Sequence, residues 1–140
     1  MAAYQKFYQF VADMANGVHD FATASVKVML TNTAPVATDT VVANITEITA
    51  GNGYTAGGNV CTLTSSTQSG GVYKLVLASP AAWTASGGSI GPFRYAVIYN
   101  SSTASGNLMG FWDYGVSNTL LAGDLFSVTL DTVNGVLQLE

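Results

Sequence analysis

The chain has 140 residues, 49% of them hydrophobic and only 9% charged, with a net charge of −4. That hydrophobicity excludes a disordered chain, and the four basic residues, Lys6, Lys27, Lys74 and Arg94, stand singly where neutralising phosphates would need a cluster, so no nucleic-acid partner is expected. One cysteine, Cys61, and one histidine, His19, exclude an intrachain disulfide and a single-chain zinc site, and no run approaches the roughly 18 apolar residues of a membrane span.

The length fits one domain over 1–140, able to bury roughly two-thirds of its extended-chain surface without staples. At the N-terminus, "MAAYQKFYQFVADMANG" has no basic head followed by an apolar stretch, so it is not read as a secretory leader. Phe7, Val11, Met14 and Val18 fit helical spacing. Asn16-Gly17 instead reads as a hairpin turn, and extended structure is the favoured reading, with 1–20 as an N-terminal arm or hairpin. In "ASVKVMLTN", Val26, Val28 and Leu30 alternate with Ser25, Lys27 and Thr31, the signature of a strand. Residues 31–59 are too long for a hairpin loop and suit a crossover between sheets, with "VVANITEI" able to form a turn or two of helix.

The Gly-rich "AGNGYTAGGN" (50–59) matches neither GxGxxG nor a Walker loop, and reads as a turn-rich loop carrying Tyr54 as an exposed or anchoring aromatic. "NVCTLTS" reads as strand, with Cys61 as a small buried hydrophobe. "GVYKLVLAS", residues 92–100, "LMGFWDYG" (108–115) and "DLFSVTLD" continue the alternation, separated by "SSTQSGG", "ASGGS" and "NSSTASGN". The plainest hairpin signal is "DTVNGVLQLE": Asn134-Gly135 suits a type I′ turn between strands at about 124–133 and 136–140. Together these predict an all-β chain, a jelly-roll-like β-sandwich of about eight strands with at most one short helix.

Little in the chain points to catalysis. His19 is followed by Asp20, but adjacent strand residues face opposite ways and no GxSxG elbow exists, so a turn or surface role is expected for His19. The eight acids are scattered, without calcium-loop spacing, and no metal or cofactor is expected. Trp83, Phe111, Trp112 and Tyr114 could form a sugar platform, but packing is the favoured role. Asn44 and Asn100 match the glycosylation pattern, which carries no meaning without secretion. Arg94 sits in the apolar run "GPFRYAVIYN" and needs a partner or access to water. Asp113 is its first candidate partner, across neighbouring strands, and Glu47 the second.

Taken in order, "LTNTAPVATDTVVANITEI", "AGNGYTAGGN", "SGGVYKLVLASP", "TASGGSIGPFRYAVIYN" and "GFWDYGVSNTLLAGDLFSV" resemble the cement (decoration) proteins of tailed-bacteriophage capsids over nearly the whole chain. The resemblance implies a jelly roll and homodimers on the outer capsid surface of the virion that clasp neighbouring major capsid protein subunits, and the N-terminal reading adds the expectation that they assemble in the host cytoplasm. It implies no enzyme activity and no cofactor. The residues themselves nominate Tyr4, Phe7, Tyr8 and Phe10 of the aromatic N-terminal segment, and Tyr54, as capsid or subunit contacts, with closure of the sandwich's end as the alternative role for Phe7 and Phe10. The alternative reading is a carbohydrate-binding β-sandwich module of a phage tail or fibre.

Overall fold

A computed structural model describes residues 2–140. The protein is an all-β sandwich of antiparallel sheets with one α-helix. Among the described residues, ten strands form it: β1 (Ala3–Lys6), β2 (Val26–Thr31), β3 (Asn59–Cys61), β4 (Leu63–Ser69), β5 (Val72–Leu77), β6 (Trp83–Thr84), β7 (Ile90–Asn100), β8 (Asn107–Leu120), β9 (Leu125–Phe126) and β10 (Leu137–Leu139). A five-stranded sheet, β1-β8-β7-β2-β3, faces a three-stranded sheet, β10-β5-β4, and a two-stranded β6-β9 pair.

The long β7–β8 hairpin is the centre of the large sheet, because its apolar residues alternate in both directions. Phe93, Ala96 and Ile98 face inward with Val26, Val28 and Leu30 of β2, Leu75 and Leu77 of β5, and Trp83. Tyr95, Val97 and Tyr99 face outward with Leu108 and Phe111. The outer layer is closed by Phe7 and, from the 31–59 crossover, by Val42 and Ile45. A strand covered on both faces reads as a nearly continuous apolar run, as β7 does. Full burial of each such large side chain contributes about 1.5–3 kcal/mol.

Two irregularities interrupt the ladder of this hairpin. Ile98 pairs with Gly110 and Tyr99 with Leu108, so Met109 is an extra residue on β8, a β-bulge. Tyr95 pairs with Asp113 but Phe93 pairs with Asn118, so Tyr114–Ser117 have no counterpart beyond Arg94 on β7.

The N-terminal segment corrects the sequence reading. Residues 3–6 are extended and pair with β8 (Tyr4 with Trp112), but Tyr8–Ala15 form a helix, α1. Asn16-Gly17 ends that helix and makes no hairpin. The Gly17 amide reaches the Met14 carbonyl, and its φ of +72° suits a residue without Cβ. The crossover's helical stretch is a single 3-10 turn, Val42–Asn44.

The C-terminal hairpin is also corrected. A turn forms at Thr132–Asn134, but the chain after it joins β5 through Leu137 and Leu75; it does not fold back on 124–133. Asp131 fixes the turn by accepting the amides of Val133 and Asn134. Gly135 then passes so close to the Leu75 carbonyl that a Cβ would collide with it. Its amide neighbour Val136 donates to that carbonyl at 2.9 Å.

Candidate functional site

Arg94 and Asp113 are brought together. Arg94 Nε donates to Asp113 Oδ1 at 2.7 Å and Nη2 to Oδ2 at 2.9 Å, a bidentate pair. Asp113 also accepts the Gly115 amide at 2.8 Å, and the guanidinium lies 5.3 Å from the Tyr95 ring centre. Hydrogen bonding to its partner raises the Arg94 pKa and lowers that of Asp113. Both side chains are partly exposed, so the pair is a surface tether at the break in the β7–β8 ladder, with no role as a buried switch. Glu47, the second candidate partner, lies elsewhere: it accepts from the Tyr54 hydroxyl and from the Gly57 amide, each at 2.6 Å.

Three of the five nominated contact residues are interior. Phe7 is fully buried against Phe111, ring centres 5.2 Å apart. Phe10 is buried against His19 and Phe21. Tyr54 is buried because its hydroxyl is held inside: it accepts the Leu30 amide at 3.0 Å while donating to Glu47, and burial pushes its pKa upward. The Gly-rich loop therefore folds its aromatic into the core. Tyr4 and Tyr8 remain exposed, at 46% and 66%. The Tyr4 ring crosses Gly110, where a Cβ would collide with it, and burial of its hydroxyl pushes its pKa up to about 12.

His19 is buried, which corrects its expected turn or surface role. It stacks on Phe21, ring centres 5.1 Å apart and planes 4° from parallel. Its Nδ1 accepts from Asn100 Nδ2 at 3.1 Å, which puts the proton on Nε2, and Nε2 has no partner among the described residues. Burial lowers the His19 pKa, against the opposing pull of Asp13. Asp13, also buried, accepts from Gln9 Nε2 and Asn107 Nδ2, each at 2.9 Å. Asp20 is turned to the Ala22 amide and the Thr23 hydroxyl, away from any triad geometry with His19. Among the described residues, no three His, Cys, Asp or Glu side chains gather as a metal site requires. Cys61 is buried and burial pushes its thiol up to about 12, which makes it unreactive.

The aromatic set divides. Trp83 and Phe111 are core residues. Trp112 and Tyr114 are half-buried and, with Tyr4, line a groove of about 640 Å³ at the side of the sandwich, between the β1 edge of the large sheet and Ser127–Val136. Tyr4 and Trp112 lie 5.2 Å apart at 50°. Sequence reasoning missed this groove because its two walls are about 120 residues apart in the chain and each alone reads as an ordinary strand.

On the outer face of α1, Tyr8 is among the nominated contacts and Val11 is not. Val11 shares a helical spacing with Phe7, Met14 and Val18, whereas the helix buries Phe10 and Asp13 and leaves Tyr8 and Val11 in solvent. No helix among the described residues is long and apolar enough to cross a membrane. Comparison with protein-family models, curated proteins and solved structures gave no match.

Proposed function

We propose that the chain is a capsid cement protein. It binds the outer surface of an icosahedral phage shell as a homodimer and stabilises contacts between major capsid protein subunits, with no catalytic step and no cofactor. The observation that carries this reading is the apolar outer face of α1, where Tyr8 and Val11, one turn apart, are 66% and 53% exposed. A chain with 9% charged residues has little charge to desolvate when such a face is covered. The sequence resemblance supports the same reading. Its mechanism is linkage: a protein that binds only the assembled shell stabilises it by mass action, by about 2.7 kcal/mol at a hundredfold excess over Kd. Repetition over the lattice adds avidity.

The test is to add the purified protein to shells lacking it and follow their disruption temperature. The unaltered protein raises it, and a Tyr8→Asp, Val11→Asp double variant with an unchanged melting curve does not. Failure of the unaltered protein to bind, or full activity of the folded double variant, overturns the reading. The carbohydrate reading draws less support, since only Trp112 and Tyr114 of its four aromatics reach the surface.

A further inference from the structure

Beyond β9 the chain continues through Ser127–Leu130 with the period of a strand. Ser127 and Thr129 are exposed, Val128 and Leu130 buried. Among the described residues this ribbon pairs with no strand. The Leu130 amide donates to Ser79 Oγ at 2.9 Å, and the backbone groups of Ser127, Val128 and Thr129 make no hydrogen bond with any described residue. Peptide groups of successive strand residues turn to opposite edges. With Leu130 turned to Ser79, those of Ser127 and Thr129 turn the other way. Both residues line the groove, whose far wall carries Ala2 and Tyr4, at the outer edge strand of the large sheet. Its floor is apolar, formed by Trp112, Tyr114, Val128 and Val136.

An unpaired strand edge beside an apolar floor is the chemistry that captures another strand: main-chain bonds give affinity, and every second side chain meets the floor. Asp131 stands at one end of the groove. Hydrogen bonds from Asn134 and Val133 hold its carboxyl below the usual range, so it is charged at neutral pH. Ser127–Asp131 span about 17 Å, room for two or three backbone pairs.

We propose that this groove accepts an extended segment of a partner protein, antiparallel to Ser127–Asp131, with an apolar side chain at every second position and a lysine or arginine beside Asp131. A saccharide's hydroxyls do not repeat at the spacing of strand donors and acceptors, and the Tyr4 and Trp112 rings are tilted 50° against each other with no common plane to offer it. The inference does not depend on the capsid reading, which is tested on the outer face of α1.

The experiment uses the full chain and an acetylated heptapeptide, one lysine followed by alternating valine and threonine. Titration should slow amide hydrogen exchange at Ser127 and Thr129 at least tenfold. Thr129→Pro, which removes one donor at an exposed position, should weaken binding at least tenfold, and Thr129→Ala should leave it unchanged. The same peptide N-methylated at alternate residues should fail to bind the unaltered protein, a result that needs no variant to fold. Replacing its lysine by glutamate should weaken binding several-fold. No binding at millimolar peptide, equal binding of the N-methylated form, protection confined to other residues, or capture of glycans through Trp112 without capture of the peptide would each overturn the proposal.

Discussion

The two ends of the chain exchange the roles their sequences suggest. The N-terminal segment carries the more ambiguous signal, yet it is tied in at three depths: β1 on the sheet edge, Phe7 in the outer layer and Phe10 in the inner core. The C-terminal segment carries the plainest hairpin signal, yet ten residues, 127–136, lie between its two short strands without joining a ladder. A turn signal fixes where the chain reverses. It does not fix which strand the chain meets afterwards, and here β5 competes successfully for Leu137. An aromatic-rich segment, conversely, needs no clean periodicity to dock, because each large ring brings its own burial energy.

The contrast breaks most sharply at Phe7. Phe7→Ala leaves a cavity under Phe111 and should cost about 3–5 kcal/mol, read as a large fall in the urea midpoint of the whole domain. If only residues 1–20 melted, the N-terminal segment would be an appendage after all. At the other end, Gly135→Ala forces a Cβ against the Leu75 carbonyl at a φ of +81° and should cost about 1–3 kcal/mol. Amide exchange should show the loss concentrated in β10 and β5.

A smaller effect concerns pH. The pKa of His19 is lowered in the folded protein, so the unfolded chain takes up the proton first. Stability is full above pH 6.5 and falls as pH drops below it, with a slope of at most about 1.4 kcal/mol per pH unit. Unfolding midpoints at pH 7 and 5 measure this, and the dependence should vanish in His19→Phe. The smallest effect belongs to the outward face of α1: Tyr8→Ser should change stability by no more than about 0.5 kcal/mol. A larger loss would mean that this face is structural and unavailable to a partner.

The layers were legible in the sequence wherever alternation decides burial. The β2, β5, β7 and β8 runs and the buried Cys61 follow from residue order, and Asp113 is the first of the two partners that order offers Arg94. What was illegible depends on distant partners. Tyr54 looks like a loop-tip aromatic until the Leu30 amide donates to its hydroxyl and Glu47 accepts from it. His19 looks like a turn residue until Phe10 and Phe21 enclose it. In α1, a buried Asp13 with two side-chain donors breaks the apolar stripe by which a helix's inner face is recognised. The groove needed both ends of the chain at once.

The bulge at Met109 has a consequence for tolerance to length change. With the bulge, Leu108 and Phe111 both face outward while Met109 and Gly110 sit between them. Removing Met109 would restore plain alternation: Gly110 would still oppose Ile98, and Trp112 and Asp113 would keep the sides they have now. Removing Ala96 from β7 would instead turn half the hairpin over, exposing core and burying charge. A single-codon deletion at Met109 should therefore cost one buried side chain, about 1.5–3 kcal/mol, and the hydrogen bond that its carbonyl accepts from the Phe7 amide, without turning over the rest of β8 where it passes under β1.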